Sequence, residues 1–151
     1  MPKKKKTKVV TKKVKITKPV IATHQRLPLE RHGIIHKFTI GGDLGLKGYI
    51  TANCYDDGRL AEVFLTVHKT GGLARGMTNA LAIMISTALQ HGVPLAKVVD
   101  QLENVTFEPR GLTGNPDIPF AKSLADYLGR WLRLKFLESK KEEQGNVHPT
   151  L

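Results

Sequence analysis

The sequence predicts an α+β fold: a small antiparallel β-sheet followed by about three helices packed on one of its faces. Three observations carry this expectation. Apolar residues alternate with a period of two between residues 34 and 68. An Asp-Gly turn joins two of the alternating segments, and from residue 73 onward the apolar residues recur at helical spacing. Strands first and helices after is the order expected when helices gather on one side of an antiparallel sheet.

Ile34 to Ile40 forms the first strand. Ile34, His36, Phe38 and Ile40 share one face of it, because side chains alternate across a strand. Gly41-Gly42-Asp43 breaks the run. Gly48 to Tyr55 forms the second strand, with Ile50, Ala52 and Cys54 on one face and Tyr49, Thr51, Asn53 and Tyr55 on the other. Asp56-Asp57-Gly58 is a hairpin turn, since Asp-Gly tolerates the positive φ of a tight connection. Leu60 to His68 returns as the third strand, turning Val63, Leu65 and Val67 to the helices and Glu62, Phe64 and Thr66 away from them.

Thr70-Gly71-Gly72 ends the sheet, and a helix follows over residues 73–90. Leu73, Met77, Ala80, Leu81, Met84 and Ala88 form its inner stripe, and Ile83, Ile85 and Leu89 widen the apolar arc. Such a helix is expected to be central and largely buried. Gly92 provides its C-terminal cap. Pro94 starts a second helix, striped by Leu95, Val98, Val99 and Leu102. Residues 103–119 contain Pro109, Gly111, Gly114, Pro116 and Pro119 and read as a long irregular loop, a type that is often functional. The last helix is expected from Phe120 to Leu137, with Phe120, Leu124, Leu128, Trp131 and Leu132 inside.

Charge divides the 151 residues unevenly. Of a formal net charge of +11, most belongs to residues 1–19, which hold nine lysines and no acidic residue. These are Lys3, Lys4, Lys5, Lys6, Lys8, Lys12, Lys13, Lys15 and Lys18. The rest of the chain has 15 Lys/Arg against 13 Asp/Glu. The expected organisation is a disordered lysine-rich tail at 1–19, a folded domain at 20–138 and a flexible C-terminal tail at 139–151. The tail is suited to phosphate contacts with DNA or RNA. Arg26, Arg31, Arg59 and Arg75, with Lys37, are candidates for a basic face on the folded body, and Tyr49 and Tyr55 for stacking surfaces beside it.

Several function classes are disfavoured. No apolar run reaches about 18 residues, as a membrane helix requires, and the basic N-terminus lacks a signal core. A cytoplasmic protein is expected. Cys54 is the only cysteine and reads as a buried structural thiol. His32 and His36 straddle a strand boundary, so they lack ligand spacing, and no zinc site is expected. Gly41-Gly42-Asp43-Leu44-Gly45 leads into a hairpin instead of the helix that a nucleotide fingerprint needs. Asp56 and Asp57 are explained as turn residues. No cofactor and no catalytic residue are predicted.

Four segments carry a family likeness: RLPLERHGIIHKFTIGG, GYITANCYDDGRLAEVFLTV, ALQHGVPL and FEPRGLTGNPDIPFAKSLADYLGRWL. In this order they resemble the TSCPD domain at the C-terminal end of adenosylcobalamin-dependent, class II ribonucleotide reductases. The last segment is the most specific. The family's YEDGRPGE-like turn is here YDDGRLAE, with Leu60 and Ala61 in place of proline and glycine. The resemblance implies a domain that follows a large catalytic barrel. It implies that the radical cysteine, the reducing pair and the cobalamin site belong to that barrel, and none of these carries over to a chain whose one cysteine is Cys54. It thus suggests a non-catalytic accessory module that acts with a ribonucleotide reductase chain. A small nucleic-acid-binding or nucleoid-type protein and a component of a ribonucleoside-diphosphate reductase complex are the alternatives. Because the sheet face with Tyr49, Tyr55 and Phe64 is not cleanly polar, a homo-oligomer, most simply a dimer, is also expected.

Overall fold

Three strands, β1 (His32–Ile40), β2 (Leu46–Cys54) and β3 (Leu60–His68), form an antiparallel sheet in the order β1-β2-β3. They belong to a computed structural model that describes residues 22–139; the lysine-rich segment at 1–19 and the chain after residue 139 lie outside the described residues. The register sets Phe38 opposite Gly48 and Gly48 opposite Val67. Phe38, Ile40, Ile50, Ala52, Val63 and Val67 are therefore buried on one face, as the alternation requires. Gly48 is needed at this crossing, because a Cβ there would stand 2.1 Å from the Thr66 carbonyl oxygen and 2.9 Å from the Phe38 ring. The Asp-Gly turn also forms as the sequence predicts. Asp57 accepts from the Arg59 backbone N–H at 3.0 Å and from its guanidinium at 2.7 Å, while Gly58 takes φ 79°.

The helix α1 (Gly72–Gln90) has the expected bounds but not the expected seat. It lies along the free edge of β3. Ser86 Oγ accepts from the Val63 N–H at 2.9 Å and is within hydrogen-bond distance of the Val63 and Ala82 carbonyls. Gln90 Nε2 donates to the Ala61 carbonyl at 3.3 Å. These side chains satisfy strand groups that an edge leaves unpaired. Their side of the helix faces inward, burying Ala82, Ile85 and Leu89. The stripe predicted to be internal turns outward, with Leu73, Met77 and Met84 exposed. The helix ends at Gly92, φ 83°, where the Gly92 N–H reaches the Leu89 carbonyl and the Val93 N–H the Ala88 carbonyl, both at 3.0 Å. That pair of bonds is the Schellman cap that the glycine promised.

After Pro94 comes α2 (Leu95–Leu102). The predicted long loop instead contains a hairpin, β4 (Gly111–Asn115) and β5 (Ile118–Ala121). Its glycines and prolines mask the strand pattern, and the Thr113 hydroxyl, which donates to the Ile118 carbonyl, supplements a ladder with an irregular register. The last helix consequently starts later than expected. It is α3 (Leu124–Arg133), continued by a π-helical turn (Leu134–Glu138), and Phe120 is an exposed residue of β5. Ser123 sets this start: its Oγ accepts from the Asp126 N–H at 3.1 Å, a favourable N-cap. Leu124, Leu128, Trp131 and Leu132 are buried as predicted. Cys54 is half-buried against the core. No helix among the described residues is long and apolar enough to cross a membrane.

Asp126 joins the start of α3 to the loop after α2. The carboxylate is buried and accepts from the Asn104 N–H at 2.8 Å and the Lys122 N–H at 3.0 Å, with Arg130 at 3.6 Å. Removing it strands two backbone donors, whereas removing the Ser123 hydroxyl mainly costs a cap. Asp126→Ala is expected to lower the unfolding free energy by about 2–3 kcal/mol and Ser123→Ala by about 1 kcal/mol. Urea titrations should show reduced midpoints in that order; equal midpoints for Asp126→Ala and the unaltered protein would contradict this account.

Candidate functional site

Two surfaces outside the core have the chemistry of interaction sites. The first is the outward side of α1. Leu73 is 81% exposed, Met77 65% and Met84 67%. Below Leu73 and Met77 lies an apolar groove of about 740 Å³, walled by Leu81 and Leu102 and by Val105 and Phe107 of the loop before β4. It continues past Leu81 and Leu102 into a second hollow, of about 480 Å³, where Met84, Val93 and Val98 meet. A continuous apolar surface of this kind marks an interaction site. Unbranched methionine suits it, since it adapts to a partner's shape. The residues that form the groove were legible as an apolar stripe, but its exposure depends on which side of α1 seals β3.

The second surface is the sheet face turned away from the helices. Here the predicted basic residues separate. Arg31 pairs with the buried Glu62 at 3.2 Å, and Glu62 also accepts from Asn53 Nδ2 at 2.8 Å. Arg59 pairs with Asp57 at 2.7 Å, reaches Gln25 Oε1 at 3.1 Å and lies over the Tyr55 ring at 5.0 Å. Arg26 and Arg75 are exposed and form no ion pair among the described residues. Arg75 lines a hollow with Leu65 and His68, towards the end of β3 away from Arg31 and Arg59. The four arginines therefore do not make one continuous face. The nine tail lysines fall outside the described residues. Tyr55 is not a stacking surface: it is 8% exposed, and its hydroxyl donates to the Gln25 carbonyl at 2.8 Å. Tyr49 is open on the sheet and stands directly opposite Lys37. A cavity of about 570 Å³ beside it gathers Lys37, Lys47, Lys69 and His68. Sequence reasoning missed Lys47, which lies two residues before Tyr49 on the same face of β2, and did not join Lys69, just past the end of β3, to these two.

The most specific segment of the sequence builds a polar hub inside the fold. His36 Nε2 lies 2.7 Å from the Tyr127 hydroxyl, which accepts from Asn115 Nδ2 at 3.0 Å. Asn115 Oδ1 in turn accepts from the Asp117 N–H at 3.0 Å. The His36 ring stacks on Trp131, centroids 4.9 Å apart. Burial, and then the charge of Lys135, lower the His36 pKa; burial raises that of Tyr127. Asn115 thus pins the β4–β5 hairpin to α3, and His36 is a half-buried histidine packed on Trp131 and Tyr127. Arg133 closes the far side through Glu103 at 2.6 Å and Asp100 at 2.8 Å. Among the described residues, no three His, Cys, Asp or Glu side chains are placed to hold a metal ion.

Residues 5–136 match the family model of the TSCPD domain, so the likeness takes in part of the lysine-rich segment. The chain is 44% identical over 124 residues to a vitamin B12-dependent ribonucleotide reductase of Streptantibioticus cattleyicolor, covering 82% of this chain and 20% of that protein. A protein of the same name from Rhodopirellula baltica is 41% identical over 113 residues, 75% of this chain and 11% of its own length. One from Bradyrhizobium diazoefficiens is 37% identical over 132 residues, 87% of this chain and 10% of its own length. The chain spans a fifth or less of the length of these relatives. No solved structure matches it significantly.

The His36 hub has a pH signature. Its folded pKa lies below the usual 6.5, so just under that value the unfolded chain binds more protons than the folded one. The stabilisation is complete above 6.5 and is lost as pH falls through the folded pKa. The thermal midpoint should drop between pH 7.5 and pH 5.5, and His36→Gln should flatten that drop. An equal drop in the variant would assign the effect to other groups.

Proposed function

This chain belongs to the TSCPD domain family, and from that premise we propose that it is a non-catalytic, cytoplasmic accessory module that docks on a vitamin B12-dependent ribonucleotide reductase chain. The exposed groove of α1 carries the reading. Three large apolar side chains stand open on a helix whose other side is occupied by β3. The relatives carry the same domain as a tenth to a fifth of a much longer reductase, so a reductase chain is the partner whose surface the groove would have been shaped to meet. The sequence holds one cysteine, which favours a supporting role over dithiol chemistry.

Capture from cells that express such a reductase tests the docking. The full chain should retain the reductase, and Met77→Asp should abolish retention while leaving the thermal midpoint within a few degrees, because the side chain is mostly exposed. Recovery of no reductase chain would remove the reading. Catalysis is tested separately. The purified chain, given nucleoside di- or triphosphates, adenosylcobalamin and a dithiol, should form no deoxynucleotide; sustained formation would overturn the non-catalytic assignment.

A second reading rests on charge. Nine lysines without an acidic residue in positions 1–19 favour binding to DNA or RNA through phosphates, without strong sequence preference, as lysine lacks the rigid fork of arginine. Arg26 and Arg75 would add to it more than Arg31 and Arg59, whose charges are already paired. Each neutralised duplex phosphate contributes about 0.9 to the logarithmic salt slope. A chain starting at Val20 should bind duplex and single strands more weakly and with a shallower slope; identical slopes would sink the tail reading. Self-association is a separate proposal, supported by the exposed Ile35 and Phe64 on the sheet. Light scattering that gives 16.7 kDa across a broad concentration range would exclude it.

A further inference from the structure

We propose that the end of the sheet beside the β1–β2 connection is a binding site for a nucleoside phosphate, with Lys37, Lys47 and Lys69 holding the phosphates and Tyr49 stacking on the base. The cavity of about 570 Å³ is lined by these four side chains with His68 and Thr70. Lys37 stands opposite Tyr49 across the β1–β2 ladder, and Lys47 opposite His68 across the β2–β3 ladder. Strand alternation puts all four on the face turned away from the core. Directly opposed residues have Cβ atoms about 4.5–5.5 Å apart, which sets Lys37 beside Tyr49, and Lys47 precedes Tyr49 by two residues on the same face of β2. The Tyr49 ring meets His68 edge to face, centroids 5.6 Å apart. That contact fixes the ring while leaving it partly open to solvent.

Three further features point to an anion. The only carboxylate lining the cavity is Asp43, which is fully exposed and 3.9 Å from Lys47. The clustered positive charge is thus largely uncompensated, and a polyanion would relieve it. Lys69 takes φ 54°, a left-handed conformation that is costly for any side chain but glycine's. It turns the chain from β3 towards α1 and adds a third cation to the cavity. A lysine stands where the backbone alone favours glycine. Thr70 Oγ1 is buried without a hydrogen-bond partner among the described residues, in the wall of the same cavity. Such a hydroxyl requires an acceptor, which a phosphate oxygen would supply. Multiple cations around an open aromatic ring match a planar base joined to phosphates. The nucleotide would be either free or part of a single strand, and the site lies on the folded body, adjoining the α1 groove at Leu46, Thr70 and Pro109.

The test is isotope-edited NMR on the full chain, titrated with adenosine triphosphate, inorganic triphosphate and a ten-nucleotide oligothymidylate. The nucleotide should shift the amide signals of Lys37, Lys47, Tyr49, His68 and Lys69. Tyr49→Ala should weaken binding about five-fold or more, and the paired substitution Lys37→Gln with Lys47→Gln should weaken it independently. Lys69→Gly is the decisive variant: it should weaken binding while keeping or raising the thermal midpoint, because it relieves the left-handed strain. Tighter binding of the oligonucleotide than of the free nucleotide assigns the site to a single strand, and the reverse assigns it to a free nucleotide. Shifts confined to the lysine-rich segment would overturn the proposal. So would unchanged affinity in a folded Tyr49→Ala protein, or inorganic triphosphate binding as tightly as the nucleotide. None of these outcomes bears on reductase capture or on the salt slope of the truncated chain.

Discussion

The free edge of β3 is the constraint on which the rest of the molecule is arranged. A three-stranded sheet leaves strand groups unpaired at its borders, and burying them unpaired is costly. Here α1 answers with two polar side chains, Ser86 against Val63 and Gln90 against Ala61. Once those two residues are committed to the strand, the rotation of the helix is set. Ile85 and Leu89 go inward between them, and Leu73, Met77 and Met84 go outward whatever their hydrophobicity. The exposed apolar surface is thus a consequence of how the edge is sealed, and a groove of about 740 Å³ between α1, α2 and the loop before β4 follows from it.

A second, smaller constraint organises the other half. The helix α3 buries Leu124, Leu128, Trp131 and Leu132 in the core, but the short β4–β5 hairpin has no extended apolar face to hold it against that helix. Buried polar contacts do this instead: Asn115 to Tyr127, Tyr127 to His36, Asp126 to the loop after α2, and Ser123 to the Val105 carbonyl at 2.6 Å. Fully satisfied networks of this kind hold segments in one arrangement, and each member is hard to replace because its partners would be left buried and unpaired. Segments held this way keep their residues for structural reasons. That accounts for the high specificity of FEPRGLTGNPDIPFAKSLADYLGRWL as a motif without assigning it any chemistry.

The sheet was legible because period-two alternation and the Asp-Gly turn are local signals, and Ile50, Ala52, Val63 and Val67 went where the pattern put them. The glycine cap was equally local, and Gly92 ends α1, whereas the Ser123 cap was passed over and the last helix was expected to start at Phe120. Helical periodicity, in contrast, shows that α1 has an apolar stripe but not what the stripe faces. Ser86 and Gln90 look like solvent residues until a strand edge is placed beside them. The β4–β5 hairpin was hidden for a different reason. Five residues against four, interrupted by Gly114 and Pro119, are too short for alternation to register. The basic cluster was only partly visible. Arg31 and Arg59 were readable as cations but not as partners of Glu62 and Asp57, Lys47 was lost because β2 was expected to begin at Gly48, and Lys69 joins Tyr49 only through a left-handed turn after β3.

The distribution of surfaces separates two kinds of recognition. On α1 the exposed residues are apolar and the cations sparse, with Lys97 the only one lining the two hollows. On the opposite side of the sheet the exposed cations cluster around an aromatic ring. Apolar burial is non-directional and depends little on salt, while phosphate contacts weaken steeply as salt rises. One small body therefore presents surfaces that respond to different conditions, and the two adjoin at Leu46, Thr70 and Pro109, which line both. The sheet accounts for their different chemistry: its core face is committed to Phe38, Ile50 and Val67, which leaves the outer face free to carry charge, while the helix that seals its edge carries the apolar groove.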